Sequence, residues 1–265
     1  MTLASSRSLP ARRRVALGAV LAFALIVHRV DQAQAEEALI AVAANFAEVV
    51  ETLKPIFERQ TGHTIVETTG STGKFYAQIA AGAPFQVLLS ADAKTPRRLE
   101  EEKLAVAGSA FTYAIGKLAL WSPDANRIGD DGKAALLDPA VRFVAIANPD
   151  LAPYGVAARE ALESLKLWDD LQPKIVMGQN IGQTHSLVAS GAADLGFVAL
   201  SAVVSPRAPA DGSRWDVPQE LFTPIQQDAI LLNPGKDNPA AVAFLEFLES
   251  DEARAVIASY GYAVE

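Results

Sequence analysis

Apolar residues fall along the chain in two alternating rhythms. Residues 38–43 (ALIAVA) form an unbroken apolar run of the kind that fills a strand covered on both faces, and Phe46, Val49, Val50, Leu53, Ile56 and Phe57 then recur at helical spacing. Pro55 lies inside that helix, which predicts a kink or a new first turn there. The rhythm repeats. TGHTIVET restarts as a strand after Gly62, KFYAQIAAG reads as a helix ending at Gly82, FQVLLSA as a strand and TPRRLEEEK as a short polar helix. Past FTYAIGKLALW come helix KAALLD, strand 142–147 (RFVAIA), helix 154–166, strand KIVMG, helix 181–190, strand DLGFVAL and a short helix at 201–204. Strand 223–232 (TPIQQDAILL) and helices 239–249 and 251–259 close the chain, the first of these helices with a stripe of Val242, Phe244, Leu245 and Leu248. The stretch 205–215 (SPRAPADGSRW) reads as a surface loop. Repeated strand–helix alternation predicts an α/β protein with mostly parallel sheets. No internal repeat or low-complexity linker divides it, which leaves room for two domains joined by more than one crossing.

The first 35 residues have a different character. Arg7 and Arg12 to Arg14 precede an apolar run from Val15 to Val27, and Ala33-Gln34-Ala35 supplies a small-x-small cleavage signal. That run is short for a bilayer span of ~20 residues, so residues 1–35 read as an export signal cleaved after Ala35. The leader carries five of the 23 Lys+Arg and one of the 31 Asp+Glu, so 18 basic residues face 30 acidic ones in the mature chain, a net charge of −12. Such a surface argues against nucleic acid and anionic lipid. It disfavours an anionic ligand too, unless the site works through oriented local dipoles. With no cysteine, an exported chain depends on core burial for stability, and no lipid anchor is expected.

Four times a strand ends in a small polar turn that opens a helix: AANF (43–46), GSTGK (70–74), APYG (152–155) and QNIGQT (179–184). Ligands of open α/β sheets bind beyond the carboxyl ends of the strands, where such turns gather, and helix starts there hold anions without a formal positive charge. Each turn has an ordinary reading. Asn45 serves as a helix N-cap, Tyr154 as a packed aromatic, and GSTGK lacks the spacing of a phosphate loop. Together they point to an anion or zwitterion binder. Catalysis is the competing class. His63 and His185 have no Cys, H-x-x-E or G-x-S-x-G partner and read as solvated, and no spacing suggests a metal site.

The segments AVAANF, GSTGKFYAQIAAGAP, LLSADA, ANPDLAPYGVAAREAL and ADLGFVALS, with the closing SYGY at 259–262, resemble in order and spacing the periplasmic molybdate-binding proteins of ABC importers over essentially all of 37–265. The resemblance implies a two-lobe α/β periplasmic binding protein, type II-like, with a tetrahedral oxyanion in the cleft. It places the hinge crossings near 116–118 and 227–230, with one lobe of 36–117 plus 229–265 and the other of 118–228. By position it assigns the anion to Asn45, Ser71 or Thr72, Tyr154 and the backbone at Ile181. It implies a monomer that binds molybdate, and tungstate as well, for an inner-membrane ABC permease, with no cofactor, no direct metal ligand and no enzymatic activity. A different tetrahedral oxyanion such as sulfate is the alternative, and an exported hydrolase a remote one. Two positions depart from the family pattern. Ala199 stands where many members keep a tyrosine, so Tyr154 is expected to supply the phenol, and Gln86 replaces a common acidic residue in a position read as structural.

Overall fold

The computed structural model describes Thr2 and residues 35–264, so the leader expected over 1–35 lies almost entirely outside the described residues. The first part of the fold runs β1 (Glu37–Ala43), α1 (Ala47–Thr61), β2 (Thr64–Gly70), α2 (Thr72–Ala80), β3 (Val87–Leu89), α3 (Lys94–Glu101) and β4 (Phe111–Gly116). The second runs β5 (Leu118–Ser122), α4 (Gly132–Leu137), β6 (Val144–Ala147), α5 (Pro153–Ser164), α6 (Trp168–Leu171), β7 (Ile175–Gly178), α7 (Ile181–Ala189), β8 (Leu195–Ala199), α8 (Leu200–Val203) and β9 (Ser213–Asp216). The chain then returns with β10 (Ile225–Leu231), α9 (Pro239–Leu248) and α10 (Asp251–Ser259).

Among the described residues the strands form two five-stranded sheets, ordered β2-β1-β3-β10-β4 and β7-β6-β8-β5-β9. Both sheets are mixed, with four of the five strands in each running the same way, as the expectation of mostly parallel sheets requires, and one reversed. β1 pairs parallel with β2 and β3, and β6 with β7 and β8, but β10 and β5 each run antiparallel to both neighbours. The reason is connectivity: β5 enters the second sheet straight from β4 and β10 returns from the second sheet to the first, so neither follows a βαβ crossover. The chain leaves the first sheet at Gly116 and enters the second at Leu118, and it is back in the first by Ile225, paired with Gly116, ahead of the expected 227–230.

The buried runs divide between two faces as a period of two demands. Ile40 and Val42 of β1 pack with Phe46, Val49, Leu53 and Phe57, whereas Ala41 packs with Phe75, Ile79 and Leu99 on the other side. In the second sheet Leu118 and Leu120 join one cluster, Ala119 and Trp121 another. α1 passes through Pro55 without a break, so the expected restart does not occur. The expected loop at 205–215 contains the start of an edge strand, β9, whose Trp215 pairs with Leu120.

Register positions the functional turns. β1 and β2 stay paired to their last residues, Ala43 opposite Gly70, and β6 and β7 end together with Ala147 opposite Gly178. Each sheet therefore delivers two turns side by side at its carboxyl edge.

Candidate functional site

All four turns line one small cavity between the sheets. Ala43, Ala44 and Asn45 follow β1, and Gly70, Ser71 and Thr72 follow β2. From the second sheet come Ala152, Pro153 and Tyr154 at the start of α5, with Asn180 and Ile181 at the start of α7. Every sequence-derived candidate, Asn45, Ser71, Thr72, Tyr154 and Ile181, is therefore at this cavity, and no Lys, Arg, Asp or Glu lines it. The cavity is far smaller than a site for a drug-sized ligand, so only an occupant of a few atoms suits it. A larger neighbouring chamber shares Ala44, Asn45 and Ile181 but carries Glu48 and Glu51, whose charge would turn an anion away.

The local chemistry is that of donors without partners. Ser71 is the N-cap residue of α2 yet makes no capping bond, and its Oγ is buried with no hydrogen-bond partner among the described residues. Thr72 differs, because its Oγ1 accepts from the Ala91 N–H at 3.0 Å. Tyr154 is 1% exposed, and its hydroxyl also lacks an aligned partner. Burial, reinforced by Tyr262 and Tyr113, holds the Tyr154 phenol well above its ordinary range, and burial pushes Tyr262 up to about 12. Both keep their hydrogens at any physiological pH. Two glycines make the close packing possible. A Cβ on Gly155 would lie 2.2 Å from the Ala147 carbonyl oxygen, and one on Gly116 would lie 2.2 Å from the Tyr154 hydroxyl.

Behind the cavity runs a polar network that sequence reasoning missed. Asn45 is not the expected N-cap: α1 is preceded by a 3-10 turn over Ala44–Phe46, and Phe46 occupies the N-cap position. The Asn45 Nδ2 instead donates to Gln227 Oε1 at 2.7 Å and to the Tyr262 hydroxyl at 3.0 Å, so both of its hydrogens are committed away from the cavity. Tyr262 donates to the Asn45 carbonyl at 2.7 Å, and Ser201 Oγ stands 3.0 Å from the Tyr262 hydroxyl. Gln227, on β10, is wholly buried. The SYGY segment that marked the resemblance thus contributes Tyr262 as a support under Asn45.

The sheets meet across the cleft at three further points. The Gly73 N–H donates to the Leu151 carbonyl at 3.0 Å, Ser205 Oγ to Glu48 at 2.7 Å, and Arg207 pairs with Glu51 at 2.7 Å. His63 and His185 stand outside the cavity, and neither is solvated as expected. His63 is buried and its Nδ1 accepts from the Glu36 N–H, while His185 stacks on Trp121 at 4.9 Å, its pKa lowered by desolvation. Gln86 is structural as expected, its Oε1 accepting from the Leu39 N–H and from Asn238 Nδ2.

The family model described as bacterial extracellular solute-binding protein matches residues 38–263. The chain is 47% identical over 244 residues to the molybdate-binding protein ModA of Rhodobacter capsulatus, which covers 92% of this chain and 95% of that protein. To the molybdate-binding protein ModA of Azotobacter vinelandii it is 48% identical over 233 residues, 88% of this chain and 92% of the relative. The solved periplasmic molybdate-binding protein of Azotobacter vinelandii superposes with a TM-score of 0.83 at 41% identity, covering 86% of this chain and 99% of that one.

Proposed function

Because the chain belongs to the bacterial extracellular solute-binding proteins, with its match running over residues 38–263, we propose that it captures molybdate, and tungstate as well, between its two sheets and delivers it to an inner-membrane ABC permease. The observation that carries this reading is the cavity itself: small, free of charged side chains, and supplied with the unpartnered hydroxyls of Ser71 and Tyr154. A fully ionised tetrahedral dianion has only acceptors, and an all-donor site suits it. Hydrogen phosphate carries a proton that would meet no acceptor, and each buried unsatisfied group costs ~1–3 kcal/mol. Several charge-assisted hydrogen bonds share the charge in place of a Lys or Arg. Sulfate offers the same acceptors on a smaller frame, so cavity size alone separates the two.

In this reading Ser71, Tyr154 and the backbone N–H groups at Asn45, Thr72 and Ile181 hold the anion. The Asn45 side chain acts from behind, through Gln227 and Tyr262. The protein works as an exported monomer without a cofactor, its leader removed after Ala35, and its lobes move about hinges at 116–118 and just before Ile225. The names of its relatives describe binding, and the hydrolase alternative gains nothing from histidines that stand outside the cavity.

Isothermal titration with molybdate, tungstate, sulfate and phosphate tests the proposal. Molybdate and tungstate are expected to bind tightly, sulfate much less and phosphate not at all. In a thermal scan, a ligand at ~100 times its Kd adds ~2.7 kcal/mol to stability. A melting curve unmoved by excess molybdate refutes the reading, and equal affinity for sulfate replaces it with the sulfate alternative.

A further inference from the structure

Gln227 has one end fixed and the other free. Its Oε1 accepts from Asn45 Nδ2 at 2.7 Å and lies 3.3 Å from the Tyr113 hydroxyl. Asn45 is held in turn by Tyr262, which accepts from its Nδ2 and donates to its main-chain carbonyl. Only the oxygen end of a glutamine amide can accept from Asn45, so the network dictates that Nε2 faces the opposite way. There it meets the Tyr154 phenol. A methyl carbon on Gly116 would lie 2.8 Å from Gln227 Nε2 and 2.2 Å from the Tyr154 hydroxyl, so both atoms crowd the one space that Gly116 leaves open. Both are buried, and neither has an aligned partner among the described residues.

The polarity of that meeting follows from the groups. An amide nitrogen only donates, so a bond between the two runs from Nε2–H to the phenol oxygen. Tyr262, the other hydroxyl within reach of Tyr154, already accepts from Asn45 Nδ2. Its own hydrogen goes to the Asn45 carbonyl, and Ser201 Oγ, 3.0 Å from it, has that same carbonyl at 3.3 Å as a second acceptor. The Tyr154 hydrogen therefore has two acceptors to choose from, the neutral Tyr262 hydroxyl or a charged oxyanion in the cavity that Tyr154 lines, and the charged acceptor makes the stronger bond.

We infer that Gln227 is a positioning residue for the oxyanion: by donating from Nε2 to the Tyr154 hydroxyl oxygen it makes that hydroxyl a dedicated donor toward the ligand. The inference rests on the oxyanion reading and deepens it. A free phenol can accept as well as donate and would tolerate an anion that carries its own hydroxyl hydrogen. A phenol held by Gln227 favours the fully ionised one.

The test is a double-mutant cycle read by molybdate titration on the native protein, Gln227→Glu, Tyr154→Phe and the pair. In Gln227→Glu the new carboxylate still accepts from Asn45, but its second oxygen draws the Tyr154 hydrogen away from the cavity. A hydrogen bond to a charged group is lost, which weakens binding about tenfold to a hundredfold in the native background. Tyr154→Phe alone loses a similar factor. In the Tyr154→Phe background Gln227→Glu is expected to cost less than about threefold, because no phenol hydrogen remains to be redirected. An equal loss in both backgrounds overturns the inference, since simple repulsion between the new charge and the anion would give that result. Should Gln227→Glu fail to fold, the cycle is run with the neutral Gln227→Met, with the same non-additivity expected and additivity again overturning the role. A native protein that binds no molybdate overturns the oxyanion reading and this inference together, whereas native binding with an additive cycle removes only the role of Gln227.

Discussion

Replacing Ser71 by Ala separates a helix cap from a ligand donor. A serine at an N-cap ordinarily accepts from a backbone N–H of the first turn, and its loss costs ~0.5–2 kcal/mol. Ser71 holds that position in α2 but makes no such bond, and its Oγ is buried without a partner. Ligand-free stability therefore has no hydrogen bond to lose, and its change is expected to stay within about 0.5 kcal/mol. Binding is another matter. A donor to a dianion contributes ~1.5–3 kcal/mol, so molybdate affinity is expected to fall roughly ten- to a hundred-fold. Thr72→Val is the contrasting variant. Thr72 Oγ1 accepts from the Ala91 N–H at 3.0 Å, so its removal strands a buried donor and costs ~1–3 kcal/mol with or without ligand. The assay is paired: urea unfolding of the ligand-free proteins and calorimetric titration of the same preparations. If Ser71→Ala loses more than about 1 kcal/mol without ligand and keeps native affinity, the hydroxyl is a cap after all and the assignment of donors fails.

Two further outcomes are expected. Gly73→Ala puts a Cβ 3.0 Å from the Leu151 carbonyl oxygen and 3.2 Å from its Cα, across the cleft. Alanine suits a helical first turn at least as well as glycine, so ligand-free melting holds or rises. Molybdate affinity falls about fivefold and scattering shows less compaction on binding; unchanged affinity would remove the cleft-closing role of this contact. Asp194 bears on acid stability. Desolvation opposes its charge, but the N–H groups of Phe143 and Arg142 and the Arg142 guanidinium outweigh it and hold the carboxyl below the ordinary range. A folded pKa below the unfolded value gives stability that is fully present above about pH 3.9 and lost as pH falls through the folded value. Asp194→Asn is thus expected to lower the melting temperature at pH 7 and to converge on the native protein toward pH 3; a constant difference across that range would refute it.

The strands and helices could be read from the sequence wherever one element decided its own pattern. The runs at 38–43 and 144–147 are apolar because both faces are covered, and the stripe from Val49 to Phe57 matches one buried helix face. The four turns were visible because small polar residues between a strand and a helix are a local signal. What escaped notice depended on distant partners. β9 is four residues on a sheet edge, with too little alternation to stand out from a polar loop. Asn45 looks like a cap until Gln227 and Tyr262 arrive from 182 and 217 residues away to engage its amide. His185 looks solvated until Trp121 supplies a ring to stack on. A lone glutamine on a strand near the end of the chain carries no local sign of the work it does, and only the pairing of β10 with β4 brings it beside Gly116.

The two strand orders, β2-β1-β3-β10-β4 and β7-β6-β8-β5-β9, have the same plan: three parallel strands, one reversed strand, and an edge strand that runs with the first three. β1 corresponds to β6 and β2 to β7, so the turns after β1 and β2 are the counterparts of those after β6 and β7. On the oxyanion reading the same pair of turns is used twice, once from each sheet. A tetrahedron has two-fold axes that exchange its vertices in pairs, two oxygens for each half of the protein. A planar trigonal ion such as nitrate or carbonate cannot be split into two equal pairs of oxygens. Equivalent halves thereby select for the geometry of an ion as well as for its charge, and a duplicated plan would leave such a site as its natural product.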